Sequence, residues 1–120
     1  MPSDQRVFYR RIHSTQFTKD KNTGLWRFSS AAFRDPSLSC DDSQILKHHG
    51  LDYNFCLKGF LEFSLAAMPA QLVLDMGQRI VPDPLPNNPA HTLIMGKKSQ
   101  SIATRLCAIS TTVVFNPPKD

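Results

Sequence analysis

Ala90-His91-Thr92-Leu93-Ile94-Met95-Gly96-Lys97-Lys98-Ser99 leads from a strand pattern through a turn to a helix start within ten residues. Residues 90–95 are apolar and β-branched enough for a strand, and Gly96-Lys97 turns the chain. Ser99 then has the residue type and place of a helix N-cap. Ile102, Ala103, Leu106, Cys107 and Ile109 follow at helical spacing, a one-sided apolar stripe. Thr111 to Phe115 returns to β-branched residues, and Asn116-Pro117-Pro118 closes the fold. Strand, helix and strand in so short a span point to an α+β arrangement.

The same reading extends towards the N-terminus. Met1 to Gln5 is a polar, frayed start, and Arg6 to Ile12 is the first strand. Val7, Tyr9 and Arg11 fall on one face of it, and Phe8, Arg10 and Ile12 on the other. A cation therefore lies on each face, and the inward one requires a partner or an open pocket. Lys19 to Gly24 is a turn, and Trp26 to Phe28 resumes extended structure. Ser29 or Ser30 caps a short helical turn through Phe33, which Pro36 must end. Leu38 to Cys40 reads as a strand, and Asp41 or Asp42 caps a helix that Gly50 stops. Residues 51–58 carry no clear signal.

Phe60 to Ala67 alternates as a strand, with Leu61, Phe63, Leu65 and Ala67 on one face. Pro69 suits the first position of the next helix, which carries Val73 and Leu74 and ends at Gly77. Arg79 to Val81 makes a further strand, so residues 60–81 approach a parallel crossover unit. Four prolines between Pro82 and Pro89 make a rigid extended loop before His91. The expectation is one α+β domain over residues 1–120: a mixed sheet of five or six short strands with three helices.

Composition narrows the function classes. A chain of 120 residues supports one core. The formal net charge of +4 permits an anionic ligand but is too diffuse for a dedicated nucleic-acid stripe. Cys40, Cys56 and Cys107 have no Cys-x-x-Cys spacing, which argues against a zinc knuckle or redox pair and for reduced thiols in the cytoplasm. No apolar run reads as a signal peptide or membrane span. His48 and His49 sit in the last turn of a helix, where their charge suits the dipole, and no metal site is expected.

Two stretches carry the candidate chemistry. Trp26-Arg27-Phe28-Ser29-Ser30-Ala31-Ala32-Phe33 combines aromatics, a cation and two hydroxyls. Asn87-Asn88-Pro89-Ala90-His91 delivers a histidine from a rigid loop onto a strand. Arg10, Arg27, Ser29, Ser30 and His91 are the candidate ligand-binding residues, with guanidinium groups to grip phosphate or carboxylate and His91 to donate or take protons. A structural role is the competing reading for each: a single arginine left solvated or paired with Asp35, Asp41 or Asp42, and a His91 that ties down the proline loop. The types of a Ser-His-Asp triad are present in Ser29, Ser30, His91 and Asp83, but the small-residue nucleophile elbow is missing. No glycine-rich phosphate cradle or cofactor motif is present. His91 and the Ser29–Ser30 pair are expected to meet at one site.

Tyr9-Arg10-Arg11-Ile12, Trp26-Arg27-x-Ser29-Ser30-Ala31-Ala32-Phe33 and Asn88-Pro89-Ala90-His91 with Gly96-Lys97-Lys98 resemble a family of small bacterial proteins of unassigned function. The opening Tyr-Arg strand, later followed by a Trp-Arg strand and a serine pair, is also similar to the nicotinamide-dinucleotide-binding half of ADP-ribosyltransferase-like toxins. That second likeness implies a late acidic residue, and the late strands offer none. The reading is a small binding or accessory protein for an anionic ligand, with a nucleotide-processing enzyme as the alternative. The partners it allows are a phosphate-bearing ligand, a nucleic acid or another protein.

Overall fold

The computed structural model describes residues 4–119, so residues 1–3 of the expected frayed start lie outside the described residues, whereas Asp4 is held by Gln71 and Arg6. Eight strands alternate with three α-helices. They are β1 (Val7–Ile12), β2 (Phe17–Lys19), β3 (Trp26–Phe28), β4 (Ser37–Asp42), α1 (Ser43–His48), β5 (Ser64–Pro69), α2 (Ala70–Asp75), β6 (Arg79–Pro82), β7 (His91–Met95), α3 (Gln100–Ile109) and β8 (Thr111–Val114). Short 3₁₀ turns occupy Ser14–Gln16, Ser30–Phe33 and Tyr53–Leu57.

Six strands form one sheet in the order β6-β7-β4-β1-β5-β8, and β2 and β3 make a separate hairpin. Every pairing is antiparallel, which corrects the expected mixed sheet. The strand–helix–strand unit explains the difference. β5 and β6 do run in the same direction, but β1, β4 and β7 lie between them, so the connection through α2 spans the sheet instead of pairing its ends.

Both faces of the sheet are covered. Phe8, Ile12, Leu38, Met68 and Ile94 meet Ala70 and Val73 of α2, Ala103 and Leu106 of α3, and Phe33 of the 3₁₀ turn. On the opposite face Leu65 packs with Leu46 of α1 and with Cys56 and Leu57 of the turn at 53–57. Ser64 to Met68 are consequently all buried, as expected for a strand covered on both sides. That strand starts four residues later than the alternation predicts. Phe60 and Phe63 instead close successive turns, through backbone bonds from Phe60 to Leu57 and from Phe63 to Phe60.

Local rules place most ends. Ser29 accepts from Ala31 N and caps the turn at 30–33. Asp42 accepts from Gln44 N and Ile45 N to cap α1, and Ser99 accepts from Ile102 N to cap α3. Pro69 is the N-cap of α2 and the last residue of β5, one position earlier than its predicted place inside the helix. Among the described residues no helix is long and apolar enough to cross a membrane.

Candidate functional site

β1 and β4 are neighbours in the sheet, yet they pair only at Phe8↔Asp42 and Tyr9↔Asp41. Beyond that point the strands part, and the gap is filled by a side chain. The Arg10 guanidinium donates from Nη1 to Ser39 O at 3.0 Å and from Nε to Ala32 O at 3.2 Å. Arg10 lies on the same face as Phe8 and Ile12, so it is the inward cation, and backbone carbonyls are its partners. Burial lowers its pKa because the charged form has lost water.

A small pocket of about 30 Å3 opens at this gap, lined by Tyr9, Arg10, Arg11, Ser39, Cys40, Asp41 and His91. Arg11 reaches it from the other face of β1. Its Nη1 donates to Cys56 O at 3.1 Å and its guanidinium stacks 4.0 Å over the Phe60 ring. Among the described residues the arginine–carboxylate pairs are Arg6–Asp4 and Arg6–Asp42, so neither Arg10 nor Arg11 has a carboxylate partner. The one acid in the lining, Asp41, is buried and accepts from Asn88 Nδ2 at 2.7 Å. Burial raises the pKa of the Tyr9 hydroxyl and of the Cys40 and Cys56 thiols, so all three are neutral at physiological pH.

His91 is oriented by the proline loop. Its Nδ1 lies 3.0 Å from Asp83 O and 3.1 Å from Asp83 Oδ2. Both partners are acceptors, so Nδ1 carries the proton and Nε2 keeps its lone pair in the neutral ring. The bond to a loop carbonyl is the structural role foreseen for His91.

The predicted site residues fall into two places. Arg10 and His91 share the pocket between β1 and β4. Arg27, Ser29 and Ser30 line a different groove of about 440 Å3, with Thr18, Gln100, Thr104, Cys107 and Ala108. The single site uniting His91 with the serine pair is therefore not what the fold builds. The serines lie against α3 on the face of the first cluster, and His91 is across the sheet from them in register with Asp41 and Tyr9. The triad reading loses its nucleophile for the same reason, although His91 and Asp83 do pair. Tyr9, Ser39 and Asp41 are not among the sequence candidates, and Arg11 enters there only as a possible partner of Arg10 and Arg27 in an anion clamp; the alternation on β1 and β4 is the one signal that groups the four. Among the described residues no group of three or more His, Cys, Asp or Glu side chains is placed to hold a metal ion. Comparison with family models, curated proteins and solved structures finds nothing that matches this chain.

Proposed function

We propose that this chain is a small binding or accessory protein that recognises an anionic head group, phosphate or carboxylate, in the pocket between β1 and β4. The supporting observation is that Arg10 and Arg11 share one small polar pocket and neither has a carboxylate partner among the described residues. Two guanidinium charges against the one Asp41 carboxylate leave the lining with a positive excess. Arg10 already gives donors to Ser39 O and Ala32 O, which fixes its plane before any ligand arrives. The volume of about 30 Å3 holds roughly two water-sized atoms, so the oxygens of a head group enter and the rest of the ligand stays outside. Three free cysteines, two of them buried, support a reducing compartment, the cytoplasm.

A second reading rests on His91. Its tautomer leaves Nε2 able to accept a proton beside an arginine that would hold phosphate, the arrangement a nucleotide-processing enzyme needs. An ADP-ribosyltransferase-like activity belongs to this reading, and turnover of a nucleotide substrate that His91→Gln abolishes would separate it from binding alone.

A thermal-shift series with inorganic phosphate, AMP and acetate at low salt tests the binding proposal. The melting temperature should rise with concentration for at least one of them, since a ligand for the native state adds to its stability. Arg11→Gln should shrink that rise. No stabilisation by any of the three, or an equal rise in the variant, overturns the proposal.

A further inference from the structure

The groove that takes up Arg27, Ser29 and Ser30 belongs to another part of the molecule and has its own chemistry. It runs between the β2–β3 hairpin, the 3₁₀ turn at 30–33 and α3, and its volume of about 440 Å3 lies in the range of small-molecule sites. None of the lining residues is acidic. The hydrogen bonds inside it give the lining a direction. Gln100 Nε2 donates to Ser30 Oγ at 3.0 Å and to Thr104 Oγ1 at 3.2 Å, which spends both amide protons on hydroxyl oxygens. Ser29 Oγ accepts from Ala31 N at 3.2 Å. All three hydroxyls thus act as acceptors towards the protein and keep their own protons to give.

Arg27 adds a guanidinium on the rim. It is exposed and forms no ion pair among the described residues. Asp20, on the neighbouring turn, is held below its usual carboxylate pKa first by the Asn22 and Thr23 backbone N–H groups, and Arg27 is a lesser influence. Cys107 Sγ donates to Phe28 O, so the thiol is also turned away from a ligand.

We infer that this groove is a second ligand site, for a small molecule carrying a phosphate group. A lining of hydroxyl protons and a guanidinium, with no acid, matches oxygens that only accept, and it repels cations. The groove is many times larger than the pocket between β1 and β4, so it has room for the body of a phosphate ester as well as its head group.

Backbone amide shift mapping tests this, with inorganic phosphate, ribose 5-phosphate and neutral ribose as separate probes at low ionic strength. The sites report separately: residues 27–31 and 100–108 for the groove, and residues 9–11, 39–41 and 91 for the pocket. The expected result is saturable shifts in the first set with ribose 5-phosphate, weaker ones with inorganic phosphate and none with ribose. Arg27→Gln should weaken that binding about ten-fold, the effect of losing one charge-assisted contact. Gln100→Glu, which places a carboxylate in the groove, should abolish it. Both positions are exposed, so the fold tolerates the changes. No shifts in the first set with either phosphate, equal shifts with ribose, or an unchanged response in both variants would overturn the inference, whatever the pocket does.

Discussion

Asp4 and Asp42 hold Arg6 from two sides, and each carboxylate has a second duty or a second partner atom. Arg6 Nη2 meets Asp4 Oδ2 at 2.6 Å, Nε meets Asp4 Oδ1 at 3.0 Å, and Nη1 meets Asp42 Oδ2 at 3.1 Å. Asp42 uses Oδ1 to cap α1. The Arg6 hydrogen bonds pull the Asp4 carboxyl below its ordinary value of 3.8. A carboxyl depressed in the folded state stabilises the fold above its unfolded pKa and loses that contribution as the pH falls through the folded value. Asp4→Asn should therefore cost about 0.5–1 kcal/mol at neutral pH, measured by urea unfolding, because the pair is partly solvated. The deficit should close in acid, below the ordinary 3.8. A deficit that persists unchanged at low pH would show that the ion pair is not its source.

α3 shows how much of an element one stripe can settle. Ala103 and Leu106 are fully buried, while Ile102, Cys107 and Ile109 pack partly against the same cluster. Leu106→Ala should lower stability by about 2–5 kcal/mol in urea unfolding, from lost burial plus a cavity. A loss well under 1 kcal/mol would place the helix at the surface. This helix, its Ser99 cap and the Ser29-capped turn were legible because their signals lie within a few residues of one another. β5 was less so. Leu61, Phe63 and Leu65 alternate as strand residues do, yet Gly59 at φ 81° turns the chain and leaves Leu61 82 % exposed. β2 is three residues long, and Phe17 alone gives it an apolar signal. The pocket was hardest to see, because its geometry joins distant positions: Asn88 reaches Asp41 across 47 residues, and Arg11 reaches Cys56 across 45. The candidate residues fall in two places because alternation along β7 sends His91 to one face of the sheet, while the hairpin and 3₁₀ turn that carry Arg27, Ser29 and Ser30 lie on the other.

The six-stranded sheet thus divides the basic residues into two sets. At the gap between β1 and β4, Tyr9, Arg11 and His91 line one pocket with Arg10. Arg27 and the serines line the α3 groove. Arg10 connects the two, since its Nε bonds Ala32 O within the turn that Ser29 caps. A calorimetric titration of inorganic phosphate at neutral pH and low salt tests the proposed anion site in this gap. Run on Arg27→Gln, which weakens the groove, it should give a single-site heat that falls about ten-fold in affinity when Arg11→Gln is added. No heat in Arg27→Gln, or the same affinity with and without Arg11, would contradict an anion site between β1 and β4.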